Sequence, residues 1–378
     1  MEKITLIATL SFGLEAVVKR ELFALGFENI RASNGKVEFT STPEDIPKAN
    51  IWLRSADRVL LKMASFPAAT FDELFEKTRA LAWESWITKQ GKFPVTGKSI
   101  KSTLGSVRAC QSIVKKAVVE RLREKYHTEW FEETGPEFTI QVSLLNDIAQ
   151  LTIDTSGSGL HKRGYRLHAG KAAIKETLAA ALVQLSYWNK DRLLIDPMCG
   201  SGTILIEAAM LARKIAPGLN REFASEFWPR VPRSAWNQTK EAASDAIDNQ
   251  CELEIYGYDI DHEMITASKA NAKRAGVNKD ILFAQKDIRD LWIDQPDGIV
   301  ISNPPYGIKL AELQDLNQIY ISMNKTFRKK MGWSIYILTA DKKFPDYFKR
   351  SKTDRIRKLY NGNIEVNYYQ YFGEKPPR

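Results

Sequence analysis

The stretch Arg192–Thr203 constrains the fold of this chain more than any other part of the sequence. It reads Arg-Leu-Leu-Ile-Asp-Pro-Met-Cys-Gly-Ser-Gly-Thr and runs into the apolar segment Ile204–Ala212. This pattern predicts a short strand over Leu193–Ile195, a turn that contains two glycines, and a helix after it. Gly200 and Gly202 let the backbone approach a ligand closely, because neither carries a Cβ atom. In a doubly wound α/β sheet, ligands bind where such a strand ends.

The turn does not match the usual phosphate-binding patterns, since it is not Gly-x-Gly-x-x-Gly and lacks the lysine of a P-loop. Asp196 stands directly before the turn, where its charge would repel a pyrophosphate and attract an amino group. S-adenosylmethionine carries an ammonium group in its methionine part, so we predict that this loop binds S-adenosylmethionine. The predicted contacts in the loop are Asp196, Cys199, Gly200, Gly202 and Thr203.

Two further carboxylates follow predicted strands. Asp259 comes directly after Leu253–Tyr258, and Asp287 follows Ile281–Ala284. In nucleotide-binding folds a carboxylate at the end of the second strand accepts hydrogen bonds from ribose hydroxyls. Asp287 can accept one from an adenine amino group, although it also suits an ordinary turn. The predicted contacts of the nucleoside part are Asp259, Ile260, Asp287 and Ile288.

The segment Asn303–Gly307 reads Asn-Pro-Pro-Tyr-Gly and follows the predicted strand Gly298–Ser302. Two prolines fix φ and remove two N–H groups, so the Asn303 side-chain oxygen and the Pro304 carbonyl form a rigid pair of acceptors. An exocyclic amine of a nucleobase has two hydrogens to donate to such a pair. Tyr306 offers a ring on which an extruded base can stack. The predicted catalytic residues are Asn303, Pro304, Pro305 and Tyr306, and Asn303 is also a predicted cofactor contact.

The first 156 residues predict two α+β units. Residues 1–65 follow the order β-α-β-β-α-β, which is typical of a ferredoxin-like unit. Residues 66–156 contain two predicted helices, an extended segment and two strands. These elements are Phe71–Ile87, Phe93–Val95, Val107–Tyr126, Phe138–Leu145 and Ile148–Thr155.

The charge of the chain is distributed unevenly. The net charge is +9, and Lys89–Lys125 holds ten Lys and Arg residues against two acidic ones, while Lys325–Lys358 holds twelve against three. Such clusters favour a polyanion such as nucleic acid, with solvated helix faces as an equal alternative for each cluster taken alone. The predicted RNA contacts in the first cluster and in the basic linker 157–171 are Lys98, Lys101, Arg108, Lys115, Lys116, Lys162, Arg163 and Arg166.

The remaining composition restricts the class of protein. No apolar run reaches transmembrane length, and Met1–Arg20 reads as a folded segment with no secretion signal. Because of the missing apolar run, we expect no membrane partner. The three cysteines are scattered without metal-ligand spacing, so we also expect no metal site. Free thiols are typical of a cytoplasmic protein.

The C-terminal part alternates between predicted strands and helices. A helix over Ala172–Trp188 precedes the glycine turn, and an aromatic-rich insert over Ala216–Asn249 is interpreted as a packed lid or cap. The alternation ends in a predicted hairpin that turns at Asn361-Gly362. This order predicts a mostly parallel sheet with an antiparallel C-terminal edge.

These motifs resemble known families. Asp196–Thr203, Asp259, Asp287 and Asn303–Gly307 resemble the class I S-adenosylmethionine-dependent methyltransferases that modify exocyclic nitrogens. Residues 66–156 resemble a THUMP domain, a small RNA-binding module. The resemblance lies in Val95–Lys101, Gln111–Leu122 and Asp154–Gly157. The whole chain resembles the THUMP-containing bacterial methyltransferases that make N2-methylguanine in 23S ribosomal RNA.

The resemblance implies a domain order and an activity. It implies a ferredoxin-like subdomain over 1–65, a THUMP domain over 66–156, the basic linker over 157–171 and a Rossmann-like methyltransferase domain over 172–378. The implied activity is methyl transfer from S-adenosylmethionine to the exocyclic N2 of a guanine in 23S ribosomal RNA. A tRNA guanine-N2 methyltransferase would use the same catalytic parts. A DNA adenine-N6 methyltransferase shares Asn-Pro-Pro-Tyr without a THUMP-like unit, and a non-catalytic RNA-binding protein would bind no cofactor.

Overall fold

The computed structural model describes residues 2–166, 174–305, 310–350 and 352–374, with the backbone alone for residues 310–315. The predicted catalytic residue Tyr306, its neighbour Gly307 and the linker residues 167–171 lie outside these ranges. The described residues form two seven-stranded sheets, one in each half of the chain. None of the described helices combines the length and the apolar character that crossing a bilayer requires.

The first sheet is built from the N-terminal half. Its strands are β1 (Ile4–Thr9), β2 (Glu28–Ser33), β3 (Lys36–Ser41), β4 (Arg58–Pro67), β5 (Val95–Ile100), β6 (Ile140–Leu145) and β7 (Ile148–Asp154). Its helices are α1 (Glu15–Ala24), α2 (Ile46–Trp52), α3 (Phe71–Arg79) and α4 (Val107–Tyr126). The strand order β2-β3-β1-β4-β7-β6-β5 makes one continuous sheet, because β4 pairs with β1 on one side and β7 on the other. The predicted boundary between residues 65 and 66 falls inside β4.

Two predicted elements in this half differ from the structure. The helix predicted over Phe71–Ile87 ends at Arg79, and a separate 3-10 turn follows. The buried Trp83 causes the break, because its indole N–H donates to the Thr78 carbonyl oxygen at 2.8 Å and holds the chain back against α3. The extended segment predicted over Phe93–Val95 is also wrong in extent, since the strand there is β5.

The second sheet is built from the C-terminal half. Its strands are β8 (Leu194–Asp196), β9 (Ile255–Asp259), β10 (Ile281–Gln285), β11 (Asp297–Ser302), β12 (Gly332–Thr339), β13 (Arg355–Asn361) and β14 (Ile364–Tyr371). Its helices are α5 (Glu176–Gln184), α6 (Thr203–Ala212), α7 (Arg233–Asp245), α8 (His262–Ala275), α9 (Leu310–Phe327) and α10 (Phe344–Tyr347). The helix predicted over Ala172–Trp188 is thus shorter at both ends among the described residues, since 174–175 and 185–188 lie outside α5.

The strand order β10-β9-β8-β11-β12-β14-β13 confirms the predicted architecture. Strands β10, β9, β8, β11 and β12 are parallel, and the hairpin β13–β14 adds an antiparallel edge. The order of the strands reverses beside β8, which lies between β9 and β11. Ligands of doubly wound sheets bind at the carboxyl ends of the strands at such a switch point.

The insert Ala216–Asn249 joins the two halves of the molecule. The Trp228 ring stacks on Phe138 of the first half at 4.9 Å between centroids, and its N–H donates to the Glu137 carbonyl oxygen at 2.9 Å. The Gly218 N–H donates to the Ile51 carbonyl oxygen at 2.9 Å. The insert is packed, as predicted, but it does not cover the C-terminal sheet as a lid: Trp228 contacts Phe138 and Trp86 of the N-terminal half.

Candidate active site

A cavity of about 750 Å³ lies at the carboxyl ends of β8, β9, β10 and β11. This volume is within the range of sites that enclose a cofactor or other small molecule. Nine of the ten predicted cofactor contacts line it, and so do Pro304 and Pro305. The nine are Asp196, Cys199, Gly200, Thr203, Asp259, Ile260, Asp287, Ile288 and Asn303. None of the described lining residues comes from the insert.

The two glycines of the turn serve different purposes. Gly200 lines the cavity at φ +51°, and a Cβ atom there would meet no atom within 4 Å, so a side chain would occupy cavity space. Gly202 precedes α6 at φ +81°, and a Cβ atom there would meet the Phe283 ring at 2.9 Å and Ser268 at 3.0 Å. Gly202 is therefore required for packing at the start of the helix.

We expect Gly202→Ala to destabilise the protein by about 2–4 kcal/mol, from left-handed backbone strain and overpacking together. Gly200→Ala is the matched control, since it carries the backbone strain without the close contacts. Thermal unfolding should be affected more by Gly202→Ala, and the affinity for S-adenosylhomocysteine more by Gly200→Ala. Equal stability of the two variants would contradict these separate roles.

Asp259 fixes the glycine turn to β9. Its Oδ2 accepts from the Gly200 N–H at 2.8 Å, and its Oδ1 accepts from the Asp261 N–H at 3.0 Å. Each carboxylate oxygen has a second lone pair. The side chain can therefore hold the turn and still accept hydrogen bonds from a ribose diol.

Asp196 is the most buried carboxylate of the cavity, with 2% of its surface exposed. Its Oδ1 accepts from the Ser302 hydroxyl at 2.7 Å and from the Met198 N–H at 3.1 Å. Burial raises the pKa of Asp196 to about 7, the nearby charge of Asp259 adds to this, and the two hydrogen bonds oppose it. A bound ammonium group would offset the cost of the buried charge.

This raised pKa predicts pH-dependent binding of S-adenosylhomocysteine, which carries the same ammonium group. Asp196 is ionised above pH 7 and neutral below it, so we expect the affinity to fall by about tenfold between pH 7.5 and pH 5.5. Asp196→Asn should bind more weakly at pH 7.5 and lose the pH dependence. Calorimetric titration measures both, and a pH-dependent Asp196→Asn variant would contradict the assignment.

Asp287 has a cationic partner that the sequence reasoning missed. The Arg289 backbone N–H donates to Oδ1 at 2.8 Å, and the Arg289 guanidinium Nε donates to Oδ2 at 2.8 Å. The hydrogen bond from the Arg289 side chain lowers the pKa of Asp287. Arg289 also lines the cavity. Asp287 thus stays ionised, and an adenine amine would share it with Arg289.

The Asn303-Pro304-Pro305 segment leaves β11 beside the buried Asp196. Ser302, the last residue of β11, donates the hydrogen bond to Asp196. Its hydroxyl therefore links the strand that carries Asn303 to the strand that leads into the glycine turn. Pro304 is buried and Pro305 is exposed. The predicted stacking residue Tyr306 lies outside the described residues.

Cys199 does not have the properties of a nucleophile. Burial raises the pKa of its thiol well above the ordinary value, and the charges of Asp196 and Asp259 act in the same direction. The thiol therefore stays protonated at neutral pH. In the described residues, no group of three or more His, Cys, Asp or Glu side chains has the arrangement of a metal site.

The positions of two linker residues differ from their predicted role as RNA contacts. Arg163 is 4% exposed and its Nε lies 3.4 Å from Glu207 on α6, so it is wrong as an RNA contact. Arg166 is also held inside, since its Nη2 donates to the Thr203 hydroxyl at 2.6 Å and to the Ile174 carbonyl oxygen at 2.9 Å. The linker thus binds the first turns of α6, where the cofactor turn ends.

The cations of α4 are mostly paired with acidic residues of the protein. Lys115 binds Glu133 and the Phe93 carbonyl oxygen, and Lys116 lies 4.0 Å from Glu120. Arg121, Arg123 and Lys125 also have carboxylate partners. Lys115 is therefore a poor candidate for RNA contact. The other predicted contacts are exposed and stay predictions, namely Lys98, Lys101, Arg108, Lys116 and Lys162.

The parallel sheet and its cavity define an S-adenosylmethionine-dependent methyltransferase. A family model of the RMKL-like methyltransferase domain matches residues 163–370, a model of the RlmL ferredoxin-like domain matches residues 5–60, and a THUMP domain model matches residues 68–154. The chain belongs to the family of RMKL-like methyltransferases.

Relatives of known sequence support this assignment. The chain is 48% identical to the Bacillus subtilis protein named "Putative RNA methyltransferase YpsC", over 100% of this chain and 98% of that protein. It is 33% identical to the ribosomal RNA large subunit methyltransferase K/L of Psychromonas ingrahamii, over 95% of this chain. The chain spans about half of that longer relative, 49% of its length.

Solved structures show the same fold over the whole chain. A Listeria monocytogenes protein, described as a predicted N6-adenine-specific DNA methylase, has 46% identity and a TM-score of 0.94, covering 99% of this chain and 97% of that one. The protein SMU.472, solved in complex with SAH, has 41% identity and a TM-score of 0.94 with full coverage of both chains. The cofactor assignment thus agrees with the cavity described above.

Proposed function

We propose that this protein transfers a methyl group from S-adenosylmethionine to the exocyclic N2 of a guanine in 23S ribosomal RNA, in the cytoplasm. The observation that carries the proposal is that the glycine turn and Asn303-Pro304-Pro305 line the same cavity. The THUMP match and the ribosomal RNA methyltransferase named among the relatives support RNA as the substrate. The predicted RNA-contact residues that are exposed support the same substrate class.

The residues of the cavity suit a cofactor of this kind. Asp259, Asp287 and Asp196 line the cavity at the ends of the neighbouring strands β9, β10 and β8. Asp259 would accept from the ribose, Asp287 from the adenine amine and Asp196 from the ammonium group. When bound, S-adenosylmethionine supplies an activated methyl group. The rest of the chemistry is positioning, which can account for a large part of the acceleration of such a transfer.

Asn303 and Pro304 would orient the target amine. Their two oxygens accept its two hydrogens, which holds the nitrogen in place and leaves its lone pair to react. No strong base is needed, because the proton is lost after the nitrogen has become positively charged. The guanine would leave its base stack to enter the cavity, as target bases do in other enzymes that modify bases.

The test is the identity of the methylated nucleoside. Ribosomal RNA from a strain that lacks this protein is incubated with the purified full chain and isotopically labelled S-adenosylmethionine, then digested and analysed by mass spectrometry. We expect the label in N2-methylguanosine from 23S RNA. Label in 1-methylguanosine would contradict the proposal, since N1 is a ring nitrogen. Label in N6-methyladenosine, or in tRNA alone, would also overturn it.

A further inference from the structure

The end of α9 carries cations that neither the cavity nor the predicted RNA contacts use. Lys325, Arg328 and Lys329 are exposed, and so is Lys349 after α10. Within the described ranges, none of these four side chains forms an ion pair with a carboxylate. This distinguishes them from most of the cations of α4, which have acidic partners.

A second chain segment is held against this end of α9. Arg350 donates from its Nη2 to the Lys330 carbonyl oxygen at 2.8 Å and to the Met331 carbonyl oxygen at 3.3 Å. Burial lowers the pKa of Arg350. Arg350 therefore acts as an internal link, and it places the neighbouring exposed Lys349 near the end of the helix.

An exposed stripe connects these cations with the cavity. Gln318 lines the cavity, and Gln318, Ile321, Lys325 and Arg328 follow at intervals of three or four residues, which places them on one face of α9. Ile321 is 45% exposed. A helix rises about 1.5 Å per residue, so Gln318 and Arg328 are about 15 Å apart along its axis. We name this surface, with Lys329 and Lys349 at its end, the α9 track.

We propose that the α9 track binds the phosphate backbone of the RNA strand that delivers the target base to the cavity. The inference rests on the proposed function. Successive phosphates of one strand of duplex DNA are about 3.4 Å apart along the axis, and on that scale 15 Å corresponds to about four nucleotides. Cations without carboxylate partners can bind phosphates without first breaking an ion pair.

A helix-dipole role would be the simpler explanation of cations at the C-terminal end of a helix. The last turn of α8 also carries two cations, Lys273 and Arg274, and Lys269 lies one turn before them. All three are exposed. They lie on the other face of the sheet from α9, because the crossovers from β9 to β10 and from β11 to β12 run in opposite directions across the sheet. The two helices accordingly pack into different core clusters. Substitutions in α8 therefore provide a control with the same residue types.

The test compares two triple variants of the full chain. Lys325→Glu/Arg328→Glu/Lys329→Glu alters the α9 track, and Lys269→Glu/Lys273→Glu/Arg274→Glu makes the same charge change on α8. Filter binding to unmodified 23S RNA transcribed in vitro measures the affinity over a range of salt concentrations. Methyl transfer to the same RNA gives KM and kcat, and titration with S-adenosylhomocysteine reports an intact cavity.

We expect the α9 variant to raise the Kd for RNA by at least about 30-fold near 0.1 M salt and to reduce the slope of log affinity against log salt by about 2–3. KM for RNA should rise while S-adenosylhomocysteine binding is unchanged, and the α8 variant should change the Kd by less than about threefold. An α9 variant that binds RNA as the wild type does, or equal losses in both variants, would overturn the inference alone. A wild-type protein that neither binds nor methylates the RNA would overturn the proposed function as well.

Discussion

Asn303→Ala is expected to lower the rate of methyl transfer by about 10³-fold, since it removes one of the two acceptors that we propose to orient the amine. The substitution removes a side chain that lines the cavity and is not part of the buried core. The proposed contacts of the methyl donor with Asp196 and Asp259 would remain. Single-turnover methylation of RNA measures the loss directly.

Two controls accompany this variant. The affinity for S-adenosylhomocysteine should change by less than about threefold, and the affinity for RNA should stay the same, because the α9 track and the THUMP domain are untouched. A loss of cofactor binding equal to the loss of rate would assign Asn303 to the cofactor alone. An Asn303→Ala enzyme with the wild-type rate would refute the role in orienting the amine.

Arg163→Met is expected to destabilise the protein by about 3–5 kcal/mol, because the buried Glu207 would lose the guanidinium group nearest to it and keep only the charge of Arg54. The side chains of Arg163 and Glu207 are 2% and 0% exposed. Arg163 also donates from Nη1 to the Leu160 carbonyl oxygen at 2.6 Å, and from Nη2 to the Arg54 carbonyl oxygen. Tyr165 donates to the same Glu207 oxygen at 3.0 Å.

The double variant Arg163→Met/Glu207→Met separates charge from packing. It removes both charges and keeps side chains of similar volume, so we expect its unfolding temperature in calorimetry to lie above that of the single variant. The single variant should unfold several degrees below the wild type. Unfolding of Arg163→Met at the wild-type temperature would contradict the account of this pair.

Local signals explain why the sequence predicts some elements to the residue, such as a helix over His262–Ala275, which matches α8. Helix α8 begins after Asp261, whose side chain accepts from the Glu263 N–H at 2.8 Å, and it ends at Gly276, which has φ +76°. Such caps are written in the sequence itself. The turn at Gly362 in the last hairpin is another case, with φ +61°. The nine predicted cavity residues could be found for a similar reason, because each lies at or shortly after the end of a strand.

Distant partners explain the predictions that failed. Arg163 reads as an exposed linker cation, and only its contacts with Arg54 and Glu207, 109 and 44 residues away, show that it is buried. The number of Lys and Arg residues in Lys89–Lys125 does not show which acidic residues, such as Glu133, form ion pairs with the cations of α4. The insert's aromatics were predicted to pack, but the surface they cover was set by the tertiary fold.

The central claim is that one cavity brings the methyl donor to the Asn303-Pro304-Pro305 segment. A crystal structure with S-adenosylhomocysteine tests it most directly. We expect the ribose at Asp259, the amino group at Asp196 and the sulfur side of the ligand facing Asn303. Ligand bound in another part of the molecule, or a segment 303–305 turned away from the sulfur, would contradict the claim.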